Sequence, residues 1–132
     1  MSAPSQLACA TSDHTSARRS LPVSREALDR ASDLFRAMGD TARLRLLALL
    51  SQGPACVSEL ATIEGETIST ISQRLRVLRS ERLVTRRRDG KHINYALADQ
   101  HVLDLVFSAM AHASESPAQT PGNEFIPEKE QS

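Results

Sequence analysis

The chain has 132 residues, of which 40% are hydrophobic, 3% are aromatic and none is tryptophan, and its formal net charge is +0. This length holds one domain, and the low aromatic content favours packed helices over a β-sandwich. Whole-chain charge gives no argument for nucleic-acid binding, so such a function needs a local concentration of basic residues.

The composition also predicts where the protein works. No apolar run is long enough to span a bilayer, and the N-terminus lacks the apolar core of a signal peptide. Two cysteines, Cys9 and Cys56, are too few for a disulfide framework. We therefore expect a reduced, cytoplasmic protein with no membrane partner.

The two ends of the chain differ from its middle. Residues 1–23 are rich in Ser, Ala, Thr and Pro, and residues 116–132 combine three prolines with polar and acidic side chains. Segments of this composition bury too little apolar surface to fold. We predict a flexible N-terminal arm over 1–23, one folded domain over 24–115 and a disordered tail over 116–132.

The folded domain opens with two predicted helices. Ser24 is a good N-cap, and apolar residues follow it at helical spacing as far as Gly39. Asp40 caps a second helix, and Gly53 with Pro54 stops it. The predicted inward stripe of the second helix is Leu44, Leu47 and Leu50.

The next segment has the pattern of a helix-turn-helix. A short helix over 57–63 leads to Gly65, which permits a tight turn, and a longer helix starts at Thr67 or Ser69. The predicted apolar face of this longer helix is Ile68, Ile71, Leu75 and Leu78. Its polar and basic outer face is Ser69, Thr70, Ser72, Gln73, Arg74 and Arg76. Such a helix is typical of those that enter the DNA major groove.

A β-hairpin is predicted directly after this helix. Two extended runs, 83–88 and 91–97, flank Asp89 and Gly90, a dipeptide that strongly indicates a hairpin turn. A basic hairpin in this place is a wing. The fold class is therefore mainly α with a small β-hairpin: a winged helix-turn-helix followed by one more helix.

Basic residues concentrate in this part of the chain. Between residues 74 and 91 there are eight of them and only two acidic residues, Glu81 and Asp89. The basic residues are Arg74, Arg76, Arg79, Arg82, Arg86, Arg87, Arg88 and Lys91. Because Lys and Arg bind phosphates and release counterions, one basic face on a neutral protein indicates DNA binding.

Within that face we assign two groups of contacts. The hydroxyl and amide side chains of Ser69, Thr70, Ser72 and Gln73 lie at the end of the helix that reaches base edges. The interface further includes Arg74 and Arg76 on the helix and Arg87 and Lys91 on the wing. The alternative is a solvated basic helix beside a charged hairpin, with no DNA partner.

The last predicted helix suggests a metal site. Asp99 is its N-cap, and an apolar run from Val102 to Met110 follows. Four side chains in this segment are potential metal ligands: Asp99, His101, His112 and Glu115. Taken singly, each has a simpler explanation, since Asp99 is explained as a cap and the others as solvated surface residues.

The spacing of these ligands predicts that two chains share the site. His101 and His112 lie about 16 Å apart along a helix, whereas zinc ligands lie about 2.0–2.2 Å from the metal. One helix therefore cannot close the site, but two copies packed antiparallel can. The spacing predicts a homodimer formed through the terminal helices, with two symmetry-related sites.

With these motifs in place, the chain resembles the ArsR/SmtB family of bacterial metal-sensing repressors. The resemblance covers residues from about Leu34 to Glu115, and its motifs lie at 35–50, 55–61, 68–79 and 83–97. The pattern Asp-x-His-x10-His-x2-Glu, which the four potential ligands fill, resembles the zinc-sensing site of SmtB-like members. The resemblance implies a homodimer that binds double-stranded operator DNA when metal-free and releases it on binding Zn²⁺.

The resemblance also implies a second metal site, because some members bind metal between the third helix and the partner's N-terminal arm. Cys56 and Glu59 match the helix positions, and Cys9 and His14 are the candidates on the arm. Cys56 is equally explained as a small buried residue. Two imidazoles and two carboxylates favour Zn²⁺, with Co²⁺ as a substitute, whereas thiolates favour Cd²⁺ or Pb²⁺.

Three other classes of function compete with this interpretation. The first is a thiol-redox or soft-metal repressor of the same fold that uses Cys9 and Cys56. The second is a zinc-carrying dimer that never binds DNA. The third is an enzyme, which the sequence argues against because it has no Gly-rich phosphate loop and four protein ligands would leave zinc no open position.

Overall fold

The computed structural model describes residues 19–115, and the chain divides into two compact units between Ser32 and Asp33. The predicted N-terminal arm as far as residue 18 and the tail 116–132 lie outside the described residues and stay predictions. The elements are α1 (Arg25–Met38), α2 (Thr41–Leu50), β1 (Ala55–Cys56), α3 (Val57–Glu64), α4 (Ile68–Ser80), β2 (Val84–Asp89), β3 (His92–Leu97) and α5 (Gln100–Ser114).

Side-chain caps set the starts of four helices. In each, a side-chain oxygen accepts a hydrogen bond from the backbone N–H three residues later, at 3.0–3.1 Å. The four capping residues are Ser24, Asp40, Thr67 and Asp99. A cap of this kind contributes about 1 kcal/mol because it satisfies a donor that the helix leaves unpaired. All four predicted helix starts are confirmed.

The predicted wing is confirmed, and it belongs to a small sheet that was not predicted. β2 and β3 form an antiparallel hairpin whose register runs from Val84–Leu97 to Asp89–His92. Gly90 turns the hairpin with a φ of 66°, which glycine adopts without strain. The two-residue strand β1 adds to the other side of β3 and gives the order β1-β3-β2.

The core lies among α2, α3, α4, α5 and the strands of the wing. Its side chains without solvent exposure are Leu46, Leu47, Leu60, Ile71, Leu75, Leu78 and Leu83. Full burial of one such side chain contributes about 1.5–3 kcal/mol. This core packs the inner face of α4 and leaves its opposite face to solvent.

One prediction about core residues was wrong, and another was incomplete. Ile68 was assigned to the apolar face of α4, but it is 56% exposed, because it is the first residue of the helix. In α2 the predicted Leu47 and Leu50 are buried, and the predicted Leu44 is half-buried and packs against the core, so this inward stripe is confirmed. The adjacent Leu46, which was not assigned to the stripe, has no exposure.

Candidate nucleic-acid interface and metal centre

The outer face of α4 is fixed by the burial of its inner face. Ile71, Leu75 and Leu78 have no exposure. At about 100° per residue, the opposite side of the helix carries Ser69, Gln73 and Arg76. All three are exposed. We call Ser69, Gln73 and Arg76 the α4 outer face, and this face can present hydroxyl, amide and guanidinium groups to a nucleic acid.

The remaining predicted contacts on α4 lie on its flanks and are half-buried. Thr70 takes part in the cap of α4, since its hydroxyl accepts a hydrogen bond from Thr67 Oγ1 at 2.9 Å. Arg74 Nη2 donates to Glu66 Oε2 at 3.4 Å, and only 24% of the Arg74 side chain is exposed. Arg74 is therefore already paired inside the chain. Ser72, on the other flank, is half-buried as well.

A second ion pair holds the short helix of the helix-turn-helix. The Glu64 side chain is 6% exposed and accepts two hydrogen bonds from Arg45, at 2.6 Å from Nε and 3.1 Å from Nη2. The hydrogen bond from Arg45 is the main cause that holds the pKa of Glu64 below its ordinary value. Burial of the carboxylate raises this pKa, and the positive charges of Arg45 and Arg74 lower it further. The pair joins α2 to the end of α3.

The register of the wing separates its arginines onto two faces. Side chains that pair across strands point to the same face. Arg86 pairs with the buried Tyr95, so it lies on the face that turns toward the core. Arg87 pairs with Asn94 and lies on the opposite face. Lys91 is exposed beside the turn. Arg87 and Lys91 are thus available to a partner.

The structure brings Asp99 and His101 together at the start of α5. His101 Nδ1 lies 3.7 Å from Asp99 Oδ1, and the two side chains are 96% and 56% exposed. Two atoms that each lie about 2.0–2.2 Å from one zinc ion are at most about 4.4 Å apart. The observed separation therefore fits a shared ion. Oδ1 also accepts the capping bond from Val102, and a carboxylate oxygen has a second lone pair for it.

The other two predicted ligands lie at the opposite end of α5. The backbone N–H of Glu115 donates to His112 O at 3.2 Å, and both residues are exposed. His112 lies eleven residues after His101 along α5. Within residues 19–115, no group of three or more His, Cys, Asp or Glu side chains could hold a metal ion. Asp99 with His101 and His112 with Glu115 thus remain two separate pairs of potential ligands.

The predicted second site is described only in part. The Cys56 backbone N–H donates to Glu59 Oε1 at 3.0 Å, and Cys56 Sγ lies 3.2 Å from Ser58 Oγ. Glu59 thus helps to cap α3, and Cys56 is a free, half-buried thiol. Cys9 and His14 lie outside the described residues, so this site stays a prediction.

An apolar groove adjoins α5. Its volume is about 370 Å³, and it lies between α2, α3 and α5. Its apolar lining is Leu44, Ala48, Leu49, Ile63 and Met110. Ile63, Met110 and the nearby Phe107 of α5 are 58%, 39% and 57% exposed. These exposed apolar side chains make the groove a candidate interaction surface.

Sequence reasoning missed the acidic residues of this region. Glu64 and Glu66 flank Gly65 directly before the basic helix α4, and this arrangement could have indicated that they pair with arginines. Arg45, nineteen residues before Glu64, gave no such signal.

Among the described helices, none is long and apolar enough to cross a membrane.

Comparisons with known proteins point to one family. The family model described as "Bacterial regulatory protein, arsR family" matches residues 40–86, from the cap of α2 into the wing. A "Transcriptional repressor SmtB homolog" of Synechocystis sp. is 41% identical over 85 residues, which are 64% of each chain. The "HTH-type transcriptional repressor SmtB" of Mycobacterium tuberculosis is 36% identical over 94 residues, which are 71% of this chain and 70% of the relative.

A solved structure supports the same fold. It is the homodimeric winged helix-turn-helix DNA-binding domain of a possible ArsR-family transcriptional regulator from Mycobacterium bovis. It is 32% identical, with a TM-score of 0.64, over 72% of this chain and 90% of the other. The winged helix-turn-helix predicted from the sequence is thereby confirmed.

Proposed function

Because this chain belongs to the ArsR/SmtB family of bacterial metal-sensing transcriptional repressors, we propose that its effector is Zn²⁺, bound across two α5 helices of a homodimer. The metal-free dimer binds operator DNA in the cytoplasm, and zinc weakens that binding. Its relatives are DNA-binding repressors rather than enzymes, so no catalytic residue is assigned.

One observation carries the choice of site. Asp99 and His101 lie 3.7 Å apart, both exposed, at one end of a helix whose other end carries His112 and Glu115. The four residues supply two carboxylates and two imidazoles, a ligand set that zinc accepts in tetrahedral geometry. When bound, the ion supplies a link between the start of one α5 and the end of the other.

The apolar surface of α5 supports the homodimer. Val102 and Val106 face the core of the same chain, while Phe107 and Met110 are exposed beside the groove. An antiparallel pairing of two α5 helices covers this surface and places each Asp99–His101 end against the partner's His112–Glu115 end. Isologous contacts of this kind are the usual form of a homodimer.

The same pairing explains how the effector acts on DNA. The angle between the two α5 helices sets the angle between the protomers, and therefore the spacing of the two α4 outer faces. Operator half-sites have a fixed helical spacing, so a changed angle prevents both α4 helices from docking together. By linkage, zinc weakens DNA binding by the same factor by which DNA weakens zinc binding.

A mixed dimer tests the proposal. One chain carries Asp99→Ala with His101→Ala, and the other carries His112→Ala with Glu115→Ala. In the heterodimer, one site keeps all four ligands and the other keeps none. We expect the heterodimer to bind one zinc ion tightly, and each parent homodimer to bind none tightly, in a competition titration against a chromophoric chelator.

Asp104→Ala provides the matched control. Asp104 is an exposed carboxylate on the same helix, and it accepts a hydrogen bond from Gln100 at 2.8 Å. This variant should bind zinc like the unmodified protein and should lose operator DNA at the same zinc concentration. A heterodimer as defective as its parents would disprove the shared site.

The alternative is a soft-metal or thiol-redox repressor, and the free thiol of Cys56 at the start of α3 favours it. In that case the effector acts at Cys56 with Cys9 and His14, and Cd²⁺ or Pb²⁺ binds more tightly than Zn²⁺. Cys56→Ser distinguishes the two functions. A variant that keeps the full zinc response of DNA binding excludes the thiol mechanism.

A further inference from the structure

Arg82 stands between α4 and the wing in a conformation that arginine rarely adopts. Its φ is 60°, and it is the single non-glycine residue with positive φ among residues 19–115. The Arg82 N–H donates to Arg79 O and the Leu83 N–H donates to Leu78 O, both at 2.9 Å. These two bonds close the end of α4, and they need a left-handed residue at position 82.

A left-handed arginine is strained. Its Cβ crowds the neighbouring carbonyl oxygen, a contact that glycine avoids because it has no Cβ. A residue in this conformation persists when something offsets the strain. Leu83, which follows it, has no exposure, so packing of the core fixes the turn at this point whatever the side chain at position 82.

The Arg82 side chain itself contributes nothing to this offset within the described part of the chain. Arg82 is exposed, and its guanidinium takes part in none of the side-chain hydrogen bonds or ion pairs within residues 19–115. A glycine would close the same turn without strain. The arginine therefore gains nothing from these contacts, and its use must lie outside them.

The surroundings of Arg82 indicate which partner it meets. It lies in the window of residues 74–91, where basic residues outnumber acidic ones, and it joins α4 directly to the arginine-rich β2. We propose that Arg82 binds a phosphate of the DNA backbone beside the groove that α4 enters. This assignment rests on the proposed DNA binding. A guanidinium suits a phosphate because its planar donors can engage two oxygens at once.

The position also indicates a contact that does not depend on sequence. Arg82 follows the C-terminal end of α4, whereas Ser69 lies at the N-terminal end. The 13 residues of α4 separate these ends by about 20 Å. Base edges are read from the N-terminal end of such helices. A phosphate contact at the far end fixes orientation on the duplex and carries no sequence information.

Two substitutions separate the strain from the charge. Arg82→Gly removes both, and Arg82→Lys keeps the charge in a strained residue. We expect Arg82→Gly to raise Tm by roughly 4–8 °C and at the same time to weaken binding to a mixed-sequence duplex roughly tenfold at low salt. The slope of log affinity against log salt should fall by about 0.9 for each Arg82 engaged. Arg82→Lys should keep the slope and the Tm of the unmodified protein.

Arg25→Ala is the control, because it removes one positive charge from an exposed position at the start of α1. Its salt slope should match that of the unmodified protein. An Arg82→Gly variant with unchanged affinity and slope would overturn the phosphate contact. A lower Tm would overturn it too, because the side chain would then be stabilising the fold, for example at the negative end of the α4 dipole. If the unmodified protein binds duplex DNA with no salt dependence, the proposed function fails first, whatever Arg82 does.

Discussion

The helices α4 and α5 differ in how much of their surface one chain completes. α4 buries Ile71, Leu75 and Leu78 without exposure inside its own chain. α5 buries Val102 and Val106, yet Phe107 on the same helix stays 57% exposed. The inner face of α4 is therefore packed within the protomer, whereas α5 keeps an exposed aromatic side chain that the proposed homodimer would cover.

The largest expected effect comes from the inner face of α4. Leu75→Ala should lower the free energy of unfolding by about 2–5 kcal/mol, because it leaves a cavity in a core where Leu75 has no exposure. Urea denaturation measures the loss, which should not vary with protein concentration. Val77→Ala, on the same helix but 36% exposed, should change stability by less than about 0.5 kcal/mol. Equal losses would remove the contrast between the two faces of α4.

The second prediction concerns the face of α5 that the chain leaves uncovered. Phe107→Glu should weaken the proposed homodimer by about 2 kcal/mol or more, roughly 30-fold in Kd, because it places a charge where an aromatic anchor is expected. Sedimentation equilibrium measures the effect. Ser108→Glu, at the exposed neighbouring position, is the control. A dimer that Phe107→Glu leaves intact would show that α5 does not form the interface.

A third, smaller effect concerns the ion pair that joins α2 to α3. The pKa of Glu64 is lowered in the folded chain, mainly by its hydrogen bond from Arg45. The pair therefore contributes stability above the ordinary pKa of 4.5, and this contribution is lost as pH falls through the lowered folded-state pKa. Glu64→Gln should lower Tm at neutral pH, and its difference from the unmodified protein should shrink below pH 4.5.

Thermal melts over a pH series measure that difference, with Glu26→Gln as the control on exposed α1 surface. A difference in Tm that stays constant across the series would mean that the pair stabilises the fold through side-chain packing and not through charge. The result also bears on the comparison of α4 with α5. Loss of the pair should loosen the helix that precedes α4 and should leave the proposed dimerisation through α5 unchanged.

The smallest effect is expected at Glu66. Its carboxylate holds Arg74 Nη2 at 3.4 Å, and exposed pairs of this kind are worth about 0.2–1 kcal/mol. If DNA competes with Glu66 for the Arg74 guanidinium, Glu66→Gln should tighten DNA binding about twofold to fivefold at low salt. Fluorescence anisotropy with labelled duplex measures it. The gain should vanish in the Arg74→Ala background; a gain that persists there would come from the lost negative charge alone.

Local chemistry made most of the fold predictable. Each helix start depended on a capping residue and the three residues after it, and the hairpin depended on Asp89 and Gly90. β1 was missed because its two residues become a strand only by pairing with Tyr95 and Asn94, far along the chain. The left-handed turn at Arg82 was missed for a related reason, since burial of Leu83 determines it and arginine does not signal it.

The proposed metal site could be predicted from one chain only as two separate pairs of potential ligands. The spacing of His101 and His112 indicated two half-sites, and the structure places Asp99 beside His101. The distance between the half-sites depends on how two chains pack, which a single sequence does not specify. On the DNA side, Arg74 stays a predicted contact; its pairing with Glu66 was not predicted, because it depends on the turn geometry at Gly65.

The order of the strands indicates a role for the arginines of β2 that is separate from the DNA contact proposed for Arg87. β2 is at the edge of the sheet, so its outer row of backbone N–H and C=O groups faces no strand within residues 19–115. Open edges of this kind recruit strands from other molecules and start aggregates, and charged side chains along them prevent it. Arg86, Arg87 and Arg88 occupy this edge. Neutralising all three to abolish DNA binding should therefore first produce a protein that precipitates.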